Sequence, residues 1–138
     1  MKKITVFTDG GARGNPGPAG IGVQILDEHN TVLTEVSEYI GEATNNVAEY
    51  TAVKRALEHM KEFFDDTKAL QVTFKLDSQL VQKQILGEYK VKDATLKIYC
   101  DEVKVLNNEF ASTDFIHVPR AENKEADRLA NEAMDAQG

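Results

Sequence analysis

Apolar and polar positions alternate from the start of the chain, and Ile4 to Thr8 reads as a short strand. Ile21, Val23 and Ile25 alternate with Gly22, Gln24 and Leu26, and a further period-2 stretch runs from Val32 to Ile40, with Glu28, His29 and Asn30 as the turn between them. Three antiparallel strands are expected. At Asn46 the period changes: Tyr50, Val53, Leu57, Met60 and Phe64 recur at steps of 3, 4, 3 and 4, which lays them on one face of a helix. Leu70 to Leu76 supplies a fourth strand, Ser78 to Leu86 a short helix, and Asp93 to Asn107 another, striped by Leu96, Tyr99, Cys100, Val103 and Leu106. Phe115 to Val118 is a fifth strand, broken by Pro119, and Asn123 to Ala136 a closing helix with Ala126, Leu129, Ala130, Ala133 and Met134 facing inward. The order βββαβααβα predicts an α/β fold, a mixed sheet flanked by helices.

Composition narrows the class only slightly. The 138 residues, 41% hydrophobic and 28% charged, suit one globular domain spanning 1–138, with no apolar run of bilayer-crossing length. The opening MKKITVFTD alternates and meets an acid at Asp9, unlike a secretory signal. The single cysteine, Cys100, sits on an amphipathic stripe as a core filler, so a soluble, cytoplasmic protein is expected. No long apolar stripe is left over, which favours a monomer. The formal net charge of −7 opposes nucleic-acid binding by bulk attraction, yet suits either a solvated surface or a site that holds cations.

Four acids stand near element ends. Asp9 closes the first strand in FTDGGARGNPGPAGIGV, where Asp-Gly also makes an ordinary turn. Glu49, in TNNVAEY, could reach back to Asn46 as a capping-box partner. Asp77, in KLDSQLV, precedes a helix as an N-cap would. Asp127 lies inside the last helix at the edge of its packing face, with no basic partner evident. If the first and fourth strands are neighbours, their ends bring Asp9 and Asp77 together, with the starts of two helices close by. Four acids in one pocket repel unless cations join them, and oxygen ligands without a Cys or His cluster favour Mg²⁺ or Mn²⁺. Two such ions about 4 Å apart can activate water and stabilise a leaving oxygen in phosphodiester cleavage. The glycine-rich run, with Gly14 and Gly17, would let backbone approach a sugar-phosphate strand, and Asn15 offers an amide.

With these blocks assembled, the chain resembles the type 1 ribonucleases H over almost its whole length. TDGGARGNPGPAGIG, TNNVAEY, LDSQLV and ENKEADRLA carry the likeness, in that order. The resemblance implies a ribonuclease H-like fold with strand order 3-2-1-4-5 and a metal site of Asp9, Glu49, Asp77 and Asp127 holding two Mg²⁺ or Mn²⁺ ions. It implies hydrolysis of the RNA strand of an RNA/DNA hybrid, leaving 5′-phosphate and 3′-hydroxyl ends. It also implies substrate contacts by Gly10, Gly11, Asn15, Asn45 and Gln79, with the asparagines and Gln79 meeting minor-groove 2′-hydroxyls. Glu49 would bond a 2′-hydroxyl as well as a metal.

Two departures from the family stand out. Many bacterial members carry a histidine-bearing loop before the last helix. Here that stretch is HVPRAENKEAD, in which His117 belongs to the preceding strand and Arg120 is the nearest residue able to meet phosphate. The tryptophan-rich basic protrusion of some members is replaced by QILGEYKVKDATLKIY, where Lys83, Lys90, Lys92 and Lys97 make a modest positive strip. Affinity should then be lower and strongly salt-dependent. A dinucleotide fold is disfavoured, because the glycine run leads into a strand instead of a helix. A nuclease acting on DNA alone, or a hybrid-binding module that has lost turnover, shares the fold and stays open.

Overall fold

The computed structural model describes residues 2–137. Five strands, β1 (Lys2–Ala12), β2 (Gly17–Leu26), β3 (Val32–Ala43), β4 (Leu70–Leu76) and β5 (Ser112–His117), form one sheet in the order β3-β2-β1-β4-β5. The hairpin-linked β1, β2 and β3 pair antiparallel, whereas β1–β4 and β4–β5 pair parallel through helical crossovers. Four α-helices complete the fold: α1 (Asn45–Phe63), α2 (Gln79–Ile85), α3 (Ala94–Asn107) and α4 (Lys124–Gln137).

Helix α1 lays Tyr50, Val53, Leu57 and Met60 on the sheet, where they meet Ile4, Val6, Val23 and Ile25 in the main core. Leu96, Cys100 and Val103 of α3 join the same cluster. Helix α4 covers the other face with Ala126, Leu129, Ala130, Ala133 and Met134, the stripe its periodicity predicts.

Glycines set how closely these helices approach. A Cβ on Gly10 would run into the Ala48 carbonyl of α1, and one on Gly22 into the Ala126 carbonyl of α4. The glycine-rich run is therefore mostly strand, not a loop left open for substrate. Only residues 13–16 turn between β1 and β2, and there Gly14 takes a positive φ of 95°.

One boundary matters to the site. Asp9 does not end β1: the strand continues to Ala12, because β2 keeps pairing with it as far as Ala12↔Ala19. The parallel partner stops earlier, at Thr8↔Leu76. Asp9 is thus the first β1 residue with no neighbour on the β4 side.

Candidate active site

Two parallel strands that end together place the next residue of each side by side. Asp9 and Asp77 each stand one position beyond the Thr8↔Leu76 pair. Glu49 arrives from α1, which the bare Cα of Gly10 admits close to β1. Ligand oxygens of Asp9, Glu49 and Asp77 lie within 4.8 Å of one another.

None of these three caps a helix. Thr44 is the N-cap of α1, its Oγ1 accepting from the Val47 N–H at 3.2 Å, so Asn46 is not the cap and Glu49 is not its capping-box partner. Ser78, not Asp77, caps α2 by accepting from the Val81 N–H at 3.3 Å. Two hydroxyl residues, Thr44 five positions before Glu49 and Ser78 next to Asp77, take the structural work and leave the carboxylates for something else.

The electrostatics of the cluster are unfavourable as it stands. Asp9 is 7% exposed, and its carboxyl is pushed up to about 7, first by burial and then by the charge of Asp77. Glu49 is equally buried, and burial followed by the charges of Asp9 and Asp77 raises its carboxyl well above the usual range. Its Oε2 is buried without a hydrogen-bond partner. Three converging carboxylates, one with a buried oxygen that has no partner, are the donor set of a hard divalent cation, so the residues fit the group that the family resemblance implies.

Asp127 stands beside this cluster, close enough to hydrogen-bond Asp9 and raise its pKa. Contrary to the sequence-based expectation it has a basic partner, Arg120, whose Nη2 lies 3.4 Å from Oδ1. That pair was hidden because Arg120 sits in a separate 3₁₀ turn, Arg120–Glu122, seven residues upstream. Asn131 Nδ2 also donates to the Asp127 carbonyl at 2.9 Å. His117 is the exposed last residue of β5.

The expected substrate contacts surround this pocket. Asn45 Oδ1 accepts from the Ala12 N–H at 2.9 Å, and Asn15 Oδ1 accepts from the Asn45 N–H at 3.0 Å. The β1–β2 turn is thereby stapled to the start of α1. The backbone N–H groups fix each amide oxygen, and among the described residues neither Nδ2 donor of these exposed side chains has a partner. Gln79 is exposed at the first position of α2. Gly10 and Gly11 line the pocket floor, and a Cβ on Gly11 would meet nothing nearer than 3.9 Å.

The lysine strip is weaker than the sequence suggests. Lys83 pairs with Glu88 at 3.4 Å and Lys97 with Asp101 at 3.2 Å, while Lys90 and Lys92 lie exposed between α2 and α3. Sequence reasoning also passed over Asn123, Arg13 and Asn131. Arg13 and Asn131 line the pocket, and Arg13 bridges to Asp135 at 2.6 Å. Nothing in residue spacing signals such contacts, which join the β1–β2 turn to α4 across the fold.

Comparison with known proteins agrees with this geometry. The reverse transcriptase-like family matches residues 7–133. A bifunctional protein of Mycobacterium tuberculosis is 44% identical over 97% of this chain, which spans only 36% of that relative's length. A ribonuclease H of Nitrosomonas eutropha is 32% identical, with 99% of this chain and 92% of the relative aligned. A ribonuclease H1 isolated from compost superposes with a TM-score of 0.94 at 50% identity, covering 99% of both chains. The same compost enzyme in complex with an RNA/DNA hybrid gives a TM-score of 0.93 at 49% identity, covering 97% of this chain and 98% of that one. Matched almost end to end by a ribonuclease H and superposing on a ribonuclease H1 over nearly all of both chains, the protein belongs to the type 1 ribonuclease H family.

Proposed function

We propose that the protein is a metal-dependent endoribonuclease that hydrolyses the RNA strand of RNA/DNA hybrids, leaving 5′-phosphate and 3′-hydroxyl ends. The observation that carries this reading is the meeting of three carboxylates, two of them buried, with one Glu49 oxygen unpartnered. The hybrid complex of the compost relative supports the choice of substrate. Asp9, Glu49, Asp77 and Asp127 would hold the metal. Two Mg²⁺ or Mn²⁺ ions bound there supply Lewis acidity and a lowered water pKa for in-line displacement at phosphorus.

The protein's own groups do the rest. The free Nδ2 donors of Asn15 and Asn45, with Gln79, meet 2′-hydroxyls and base edges in the minor groove, which distinguishes RNA from DNA. Glu49 accepts from a 2′-hydroxyl at the cut nucleotide. Gly11 lets the strand lie against β1 backbone, and the exposed Arg120 turns from Asp127 to a phosphate oxygen.

A duplex-specificity assay tests this. An end-labelled RNA/DNA hybrid should be cut at internal RNA positions with Mg²⁺ or Mn²⁺, and a DNA/DNA duplex of the same sequence should stay whole. Equal cutting of both would make the protein a general nuclease. A hybrid that is bound but never cut would leave only a binding module.

A further inference from the structure

Asn123 lies between the Arg120–Glu122 turn and α4 and is 1% exposed. Its Nδ2 donates to the Thr8 carbonyl at 2.8 Å, which is the peptide group leading into Asp9. Its N–H donates to the Arg120 carbonyl at 3.0 Å, and its own carbonyl accepts from the Asp127 N–H at 3.1 Å. One buried residue is thus bonded to backbone at three positions of the candidate site. These bonds tie the Arg120–Asp127 segment to β1 immediately before Asp9.

Packing of α4 does not need this link. The helix is already seated by Ala126 and Ala130 against Gly22 and Gly20, and by Ser37 Oγ donating to the Leu129 carbonyl at 2.6 Å. Those contacts seat the body of the helix on β2 and β3, whereas the Asn123 amide reaches β1 itself. The Asn123 amide is added only at the end that carries Arg120 and Asp127. Burial of a polar side chain is costly, and here it is incompletely repaid: Asn123 Oδ1 and Thr8 Oγ1 are both buried without partners.

We propose that Asn123 is a positioning residue. It sets the spacing between Asp9 on β1 and Asp127 on α4, so that the fourth acid completes the group formed by Asp9, Glu49 and Asp77. This rests on the ribonuclease reading above. The amide touches neither substrate nor metal and acts through the two acids it holds in register.

The test compares the wild type with Asn123→Ala and with Asn123→Gln, which keeps an amide but displaces it by one carbon. Each is melted, assayed on an RNA/DNA hybrid across a range of Mg²⁺, and titrated with Mn²⁺ alone by electron paramagnetic resonance. The folded variants should lose about 10- to 100-fold in kcat or in Mn²⁺ affinity, the range seen when groups that orient metal ligands are removed. KM for the hybrid should stay within about twofold of wild type, because no substrate contact is lost. Unchanged kcat and Mn²⁺ affinity in a folded variant would overturn the proposal, as would failure of both variants to fold, which would make Asn123 a core residue only. A rise in KM alone would assign it to substrate binding instead and equally overturn the proposal. If the wild type cut no hybrid, the ribonuclease reading would fall, and the Mn²⁺ titration would still decide the role of Asn123.

Discussion

At the scale of single residues, the molecule accepts instability to keep carboxylates together. Asp9 holds its proton up to about 7 in the fold, whereas in the unfolded chain it releases it near the ordinary 3.8. The metal-free folded state therefore binds more protons than the unfolded state between those values, and stability falls as pH rises through that window. Glu49 acts in the same direction. Thermal melts in chelator should show the transition temperature declining from about pH 4 to pH 7 and levelling above it. Asp9→Asn should flatten that decline and melt higher than wild type at neutral pH. A flat wild-type profile would mean that the acids do not repel. Saturating Mg²⁺ should reverse the decline in the wild type, since a ligand at 100 times its Kd adds about 2.7 kcal/mol, and should do little for Asp9→Asn.

The sequence made these residues suspects without resolving them individually. Thr44 and Ser78 took the capping roles that Asn46 and Asp77 could have filled. Ser, Thr, Asp and Asn cap almost equally well, and a shift of one or two residues decides which oxygen meets the N–H. The Arg120–Asp127 pair escaped for a different reason: it closes between a 3₁₀ turn and a helix, where no periodicity applies.

At the scale of elements, helix positions were legible from the apolar period, and α4 buries every residue of its predicted stripe. Strand ends were less legible, because partners distant in the chain set them. β1 runs four residues past its apolar alternation since β2 remains alongside. Gly10 looked like a loop residue and Gly22 like an ordinary strand position, but both are points at which helices touch the sheet. Gly22→Ala should therefore cost about 1–3 kcal/mol, the usual penalty of overpacking, because its Cβ would meet α4 backbone that has no rotamer to yield. Cleavage should fall with it, because α4 carries Asp127. A melting temperature equal to wild type would show that α4 can move away freely.

A second element-scale contact joins two of the helices in the core. The Tyr50 hydroxyl donates to Gln84 Oε1 at 2.6 Å in the core, joining α1 to α2. Tyr50→Phe would leave the Gln84 amide oxygen buried and unpaired, at a cost of about 1–3 kcal/mol. Chemical denaturation of the two proteins reads this directly, with a lower midpoint and an unchanged slope expected.

At the scale of the whole molecule, the strand order 3-2-1-4-5 is what turns residues 9, 49, 77 and 127 into neighbours. Local pattern supplied the elements; the family resemblance supplied their order. With a net charge of −7, the proposed hybrid binding would rest on a few cations near the acids. Hybrid affinity should fall steeply between low and physiological salt, and Arg120→Ala should reduce the slope of log K against log salt by about one phosphate contact. A slope unaltered by that substitution would separate Arg120 from the substrate.

The decisive measurement is the rate at which an RNA/DNA hybrid is cut across a Mg²⁺ titration by wild type and by Asp77→Asn. Internal RNA cleavage that saturates with Mg²⁺ in the wild type, and is absent in a variant that folds normally, is the outcome required if the converging acids hold the metal for hydrolysis. Full metal-dependent cleavage by Asp77→Asn would show that the chemistry resides elsewhere.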